Sequence, residues 1–194
     1  MTQSGQSEQL KNGPSLNETQ LTQAVVEIIV PANYDYLAIL GAVAREFCAA
    51  LPLLLPQSKA ELDTGVRRFG TGILKLPGST ATVTASYSHF VYSVELVLQE
   101  VASNIVRHGY GEGSVAQIHL SLSVEEVSSG RNALIISIKD DAPAFDPTLA
   151  QVEPPDPHDP RESGYGLYLI HKLTDQLEYT RQDGWNYLRM TKYL

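Results

Sequence analysis

The chain has 194 residues and a formal net charge of −8, from 14 Lys and Arg against 22 Asp and Glu. That length suits one domain, and a domain of this size buries roughly 70% of its unfolded-chain surface. The acidic balance, with no Lys/Arg run, argues against nucleic acid as a partner, because phosphate contacts need a basic patch. The one cysteine, Cys48, cannot form an internal disulfide, and no Cys/His cluster has zinc-site spacing. There is no positively charged apolar leader and no run of about 18 apolar residues, so the expectation is a cytoplasmic chain without membrane contact.

In chain order, residues 1–20 are polar and read as a flexible tail. Residues 24–30, AVVEIIV, are rich in β-branched side chains and stop at Pro31, which predicts a strand. Asn33 or Asp35 can cap the next helix, expected over 36–51 with Leu37, Leu40, Ala44 and Phe47 on one face and Cys48 buried. Pro52 and Pro56 are expected to end it. Residues 53–86 carry the least information. A short helix is expected over 58–68, with Arg67 and Arg68 solvated, then loops or a hairpin around GILKLP among Gly65, Gly70, Gly72 and Gly78. His89 reads as an exposed or capping residue.

Residues 96–110, LVLQEVASNIVRHGY, read as a helix. Val94, Val97, Val101 and Ile105 form a core stripe, while Glu100, Asn104 and His108 recur every fourth residue on another face. Asn104 can give an oxygen to a hard cation such as Mg²⁺, which takes few protein ligands and keeps waters and phosphates. Glu100 can act as a base or orient a water. A surface Glu–Asn pair on a solvated face is the plain alternative. Residues 116–124 and 133–140 read as antiparallel strands joined through VSSGRN. By the period of two, Leu134, Ile136, Ile138 and Asp140 share one face, so its last position is a carboxylate. A buried carboxylate needs a hydrogen-bond donor, and this parity selects Asp140 over Asp141.

Residues 148–163 hold four prolines and many charges, and a long loop in a compact domain is usually functional or disordered. Arg161 is the only Lys or Arg there, and His158 is expected to be exposed. Gly164-Tyr165-Gly166 then opens a helix expected over 167–177, with Leu167, Ile170, Leu173 and Thr174 on one side. A glycine turn feeding a helix N-terminus offers N–H groups and a positive dipole end to an anion. His171 reads as structural. Residues 177–181 and 185–193 form a terminal hairpin across Gln182-Asp183-Gly184. Asn186 reads as a turn or strand-edge residue, and Trp185 and the tyrosines as packed on the sheet.

Glu100 and Asn104 followed by HGYG, then KDDAPAFDP, then GYGLYLI and GWNYLRMTKYL, stand in the order and spacing of the N, G1 and G2 boxes. The chain thereby resembles the Bergerat-fold (GHKL, histidine-kinase-like ATPase) superfamily, and within it the anti-sigma-factor serine/threonine protein kinases. The resemblance implies an α/β two-layer sandwich, a mostly antiparallel sheet with helices on one face, over residues 21–194. It implies ATP and Mg²⁺, with Asn104 holding the metal, Glu100 as catalytic base and Asp140 receiving the adenine amino group. His108, Ala142, Phe145 and Leu167 would line the nucleotide, and Arg161, Gly164 and Gly166 would meet the phosphates under a lid over 148–163. Ala142 and Ser163 stand where the family has glycine, and 53–86 looks like an insertion. The implied function is phosphorylation of an anti-anti-sigma (STAS-type) protein and sequestration of a sigma factor, usually as a homodimer. The alternative is an ATP-binding partner-switching module with little or no kinase activity.

Overall fold

A computed structural model describes residues 25–55, 66–69, 72–75, 85–110, 115–127, 130–150, 152–154 and 165–194. β1 (Val25–Pro31) leads into α1 (Tyr34–Leu54). Asn33 caps that helix, its side chain accepting the Asp35 N–H at 3.2 Å, so Asn33 rather than Asp35 is the cap. Helix α1 does not stop at Pro52 as expected. A proline at this position removes the hydrogen bond that would reach the Cys48 carbonyl. The buried Tyr87 hydroxyl donates to that carbonyl instead, and the helix runs one further half-turn to Leu54.

β2 (Val66–Phe69) and β3 (Gly72–Lys75) form a separate antiparallel hairpin. The hairpin around GILKLP is therefore present, and the helix expected over 58–68 is corrected at its end: residues 66–68 pair as strand, with Arg67 opposite Leu74. Residues 56–65 lie outside the described ones, as do 1–24 and 155–164, and with them most of the loop expected as a lid over 148–163.

α2 (Ala85–Asn104) buries Val94, Val97, Leu98, Val101 and Ala102. It passes into a π-helical turn over Ile105–Gly109, which a uniform 3.6-residue period does not anticipate. β4 (Gln117–Val127) and β5 (Arg131–Asp140) follow, and a single 3₁₀ turn (Pro147–Leu149) precedes α3 (Tyr165–Leu173). α3 is shorter than expected. Thr174 lies beyond it and returns its hydroxyl to the Ile170 carbonyl at 2.7 Å. β6 (Gln176–Gln182) and β7 (Trp185–Tyr193) close the chain.

The main sheet has the order β1-β4-β5-β7-β6, and every neighbouring pair is antiparallel. One face carries the cross-strand rows Ile28–Leu120–Ile138–Leu188–Tyr179 and Leu122–Ile136–Met190–Leu177. These pack with α1, α2 and α3 into one core, which includes Leu40, Phe47, Leu98 and Ile170. Burying each such aliphatic side chain stabilises the fold by about 1.5–3 kcal/mol. Cys48 is part of this core, and burial pushes its thiol up to about 12, so it is inert packing. On the other face Trp185 packs against His119 and under the Lys139 ammonium, 4.2 Å from the ring centroid.

Candidate nucleotide site

The last row of the inner face is polar. Asp140, Asn186 and Arg181 lie directly opposite one another on β5, β7 and β6. Asp140 and Asn186 close one end of a cavity of about 1000 Å³ between the sheet, α2 with its π turn, and α3, with Arg181 behind them. Glu100, Asn104, His108, Asp140, Ala142, Phe145, Gly166 and Leu167 all line it, so eight of the expected site residues meet in one place. Arg161 and Gly164 lie outside the described residues. A groove of about 800 Å³ on the opposite sheet face, past Glu27, Lys139 and Arg189, lacks the Glu–Asn pair and any helix N-terminus.

At the sheet end, Asp140 is 5% exposed and its Oδ1 accepts two hydrogen bonds, from Ala142 N–H at 2.9 Å and from Asn186 Nδ2 at 2.8 Å. Burial pushes its carboxyl above the ordinary range; the bonds from Asn186 and Ala142 oppose this, as does Arg181, while Asp141 adds to it. Asp141 points elsewhere. It accepts the Tyr110 hydroxyl at 2.5 Å and donates its own N–H to that oxygen at 3.0 Å. The alternation along β5 thus separates a cavity-facing carboxylate from a structural one, and burial with the Asp141 bond raises Tyr110 as well.

Ala142 is buried and has no positive φ, so a backbone that only glycine adopts is not required there. Its methyl sits where Gly109 has none: a Cβ on Gly109 would lie 2.6 Å from it. The methyl lost at one position makes room for the methyl gained at the other. In FDP, Phe145 is 55% exposed at the cavity rim. Asp146 caps the 3₁₀ turn by accepting Thr148 N–H at 2.9 Å, and Pro147 fills its first position. The Pro147 carbonyl accepts from His171 Nε2 at 2.9 Å, which makes His171 structural, as expected.

At the helix end, Glu100 and Asn104 face the first turn of α3. A Cβ on Gly166 would come within 2.5 Å of Glu100 Oε2 and 3.5 Å of Asn104 Nδ2. Glycine here permits the close approach of α3 to the Glu–Asn face. His108 sits on the π turn, exposed at the rim, rather than one regular turn above Asn104. On α3, the Lys192 ammonium caps the far end by donating to the Leu173 carbonyl at 2.7 Å, where a cation suits the dipole.

Asn186 corrects the sequence reading. It is 6% exposed, inside β7, and its carboxamide bonds to Asp140, Arg181 and Tyr179. The available signal was register: the Asp-Gly turn puts Asp183 and Gly184 at positive φ, as a two-residue hairpin with a primed turn requires, and so sets Arg181 opposite Asn186.

A layered α/β sandwich with an acidic, hydrogen-bonded sheet end facing a glycine-opened helix N-terminus defines a nucleotide-binding ATPase-type domain. Residues 30–192 match the histidine kinase-like ATPase domain family, and the chain belongs to that family. It is 34% identical over 105 residues to the serine/threonine-protein kinase BtrW of Bordetella bronchiseptica, covering 53% of this chain and 70% of that one. It is 28% identical over 126 residues to the serine-protein kinase RsbW of Staphylococcus aureus, covering 62% of this chain and 76% of that one. Among solved structures, the RsbU and RsbW domains of Rv1364c from Mycobacterium tuberculosis align with a TM-score of 0.43 at 12% identity. That alignment covers 87% of this chain, which spans about a third of the other, 32%. No described helix is long and apolar enough to cross a membrane.

Proposed function

We propose that the chain is an ATP-dependent serine/threonine protein kinase that phosphorylates an anti-anti-sigma (STAS-type) protein and binds a sigma factor, as its kinase relatives and the family boxes suggest. One observation carries the reading. Glu100 and Asn104 face the N-terminal turn of α3 at Gly166, in the cavity whose sheet end presents Asp140. Asp140 takes the adenine amino group, with Ala142 and Leu167 along the nucleotide and Phe145 and His108 at the rim. The α3 N-terminus, with the glycine turn of Gly164 and Gly166 and with Arg161 of the lid, receives the phosphates.

The donors suit Mg²⁺: one carboxamide oxygen, Asn104, with a carboxylate one turn earlier, is the sparse protein set that this cation takes. Asn104, with Glu100 beside it, would hold the cation, which would supply positive charge to the phosphates. Glu100 accepts the proton of the attacking serine hydroxyl. Its carboxylate forms no hydrogen bond to a described residue, which leaves it free for that proton, and phosphoryl transfer asks mainly for positioning with a well-placed base. The proposal includes one ATP-binding domain over residues 21–194, a homodimer, a role in transcription regulation and a cytoplasmic location.

The test is incubation with γ-labelled ATP, Mg²⁺ and purified STAS-type proteins. Label on a serine of one of them, lost in Glu100→Gln, is the expected result. ATP hydrolysis without transfer would favour an ATPase, and nucleotide binding with neither reaction would favour the binding-module alternative. Light scattering checks the dimer.

A further inference from the structure

Arg181 does not line the cavity, yet it determines which atoms there are available. Its Nη1 donates to Asn186 Oδ1 at 2.5 Å and to the Ala142 carbonyl at 2.9 Å. The Tyr179 hydroxyl donates to the same Asn186 oxygen at 2.7 Å. A carboxamide has one accepting oxygen and one donating nitrogen. With two donors on the oxygen, the nitrogen must face the other way. There Asn186 Nδ2 donates to Asp140 Oδ1 at 2.8 Å and to the Ala142 carbonyl at 3.1 Å. Turned over, the carboxamide would set NH₂ against a guanidinium and its oxygen against a carboxylate. Asp140 Oδ1 is further held by the Ala142 N–H at 2.9 Å. Its Oδ2 accepts from no described residue, and Asp140 lines the cavity.

We infer that Arg181, acting through Asn186, is a positioning residue for nucleobase selection: it commits Asp140 Oδ1 to the protein and leaves Oδ2 as the acceptor for an exocyclic amino group. The inference rests on the reading of this cavity as an ATP site. It accounts for the polar row. Without the guanidinium, only the Tyr179 hydroxyl, which can also accept, still meets Asn186 Oδ1, so the sense of the carboxamide weakens and with it the Asn186 bond that, beside the Ala142 N–H, orients Asp140. Selectivity for a 6-amino over a 6-unsubstituted or 6-oxo purine then falls, because it depends on one aimed oxygen.

Equilibrium binding of two probes, Mg·ATP and Mg·purine riboside triphosphate, which lacks the 6-amino group, tests this. The wild-type chain is expected to prefer ATP by about tenfold or more. In Arg181→Met the preference shrinks to within about threefold, because ATP weakens while the analogue does not. Arg181→Lys, which keeps the charge and a donor, restores part of it, and Tyr179→Phe, which removes one of the two donors to Asn186, gives a smaller loss of the same kind. Equal weakening of both probes would reveal a merely structural role and overturn the inference, as would an unchanged preference in Arg181→Met and Tyr179→Phe. If the wild-type chain binds neither probe, the ATP-site reading itself fails; if it prefers ATP and the variants keep that preference, only the role of Arg181 fails.

Discussion

The two ends of the cavity are built by opposite means. At the sheet end, strand register sets Asp140, Asn186 and Arg181 in a row, and each is tied to another by hydrogen bonds of 2.5–2.8 Å. At the helix end, Glu100 and Asn104 come from one helix and Gly166 from another, and neither polar side chain is bonded to a described residue. A locked end suits recognition, where one geometry must be selected. An uncommitted end suits chemistry, where a carboxylate must take and release a proton.

The contrast breaks most sharply at Glu100. Glu100→Gln should slow phosphoryl transfer by about 10²- to 10⁴-fold. Affinity for Mg·ATP should stay within about threefold, as a transition-state contribution requires; quench-flow on saturated enzyme, with calorimetry, separates the two. Gly166→Ala comes next, because its methyl would fall 2.5 Å from Glu100 Oε2 and displace the carboxylate. Transfer should drop by about 10- to 100-fold, since misplacement of a reacting group by about 1 Å is that costly. A drop no larger than that of an exposed substitution away from the cavity, such as Glu46→Ala, would show the approach to be unimportant.

At the locked end the effects fall on stability and affinity. Gly109→Ala would place two methyl carbons 2.6 Å apart, and overpacking of this kind costs about 1–3 kcal/mol. The double variant Gly109→Ala/Ala142→Gly should recover most of that loss in thermal unfolding. Additive losses would mean that the two positions are not complementary. The smallest effect is on pH dependence. Burial raises the Asp140 pKa, so its acceptor is lost at higher pH than for an ordinary carboxylate, and ATP binding should weaken on acidification before that of an exposed Asp would. For folding the sign is reversed. A raised folded-state pKa means that the fold favours the neutral form. The Asp140 contribution to stability is then full below its unfolded pKa and is lost as pH rises through the folded one. Asp140→Asn should flatten both profiles.

Much of this site can be read from the chain, and the gaps have physical causes. Asp140 follows from the period of two along β5, and Tyr110 accounts for Asp141. Glu100 and Asn104 follow from helical spacing. His108 is misplaced because the π turn adds a residue per turn after Asn104. Pro52 misleads because the group that satisfies Cys48, Tyr87, lies 39 residues away in sequence, beyond any local signal. Asn186 is missed for the opposite reason. Its role is written in the Asp-Gly turn and the alternation around it, but it emerges only when three strands are laid side by side.

Calorimetric titration of Mg·ATP into the wild-type chain and into Asp140→Asn tests the division of labour most directly. Binding to the wild type, weakened about 10- to 100-fold in the variant with the unfolding temperature little changed, is the expected result. Equal affinity in the two proteins would contradict it and would remove Asp140 from nucleobase recognition.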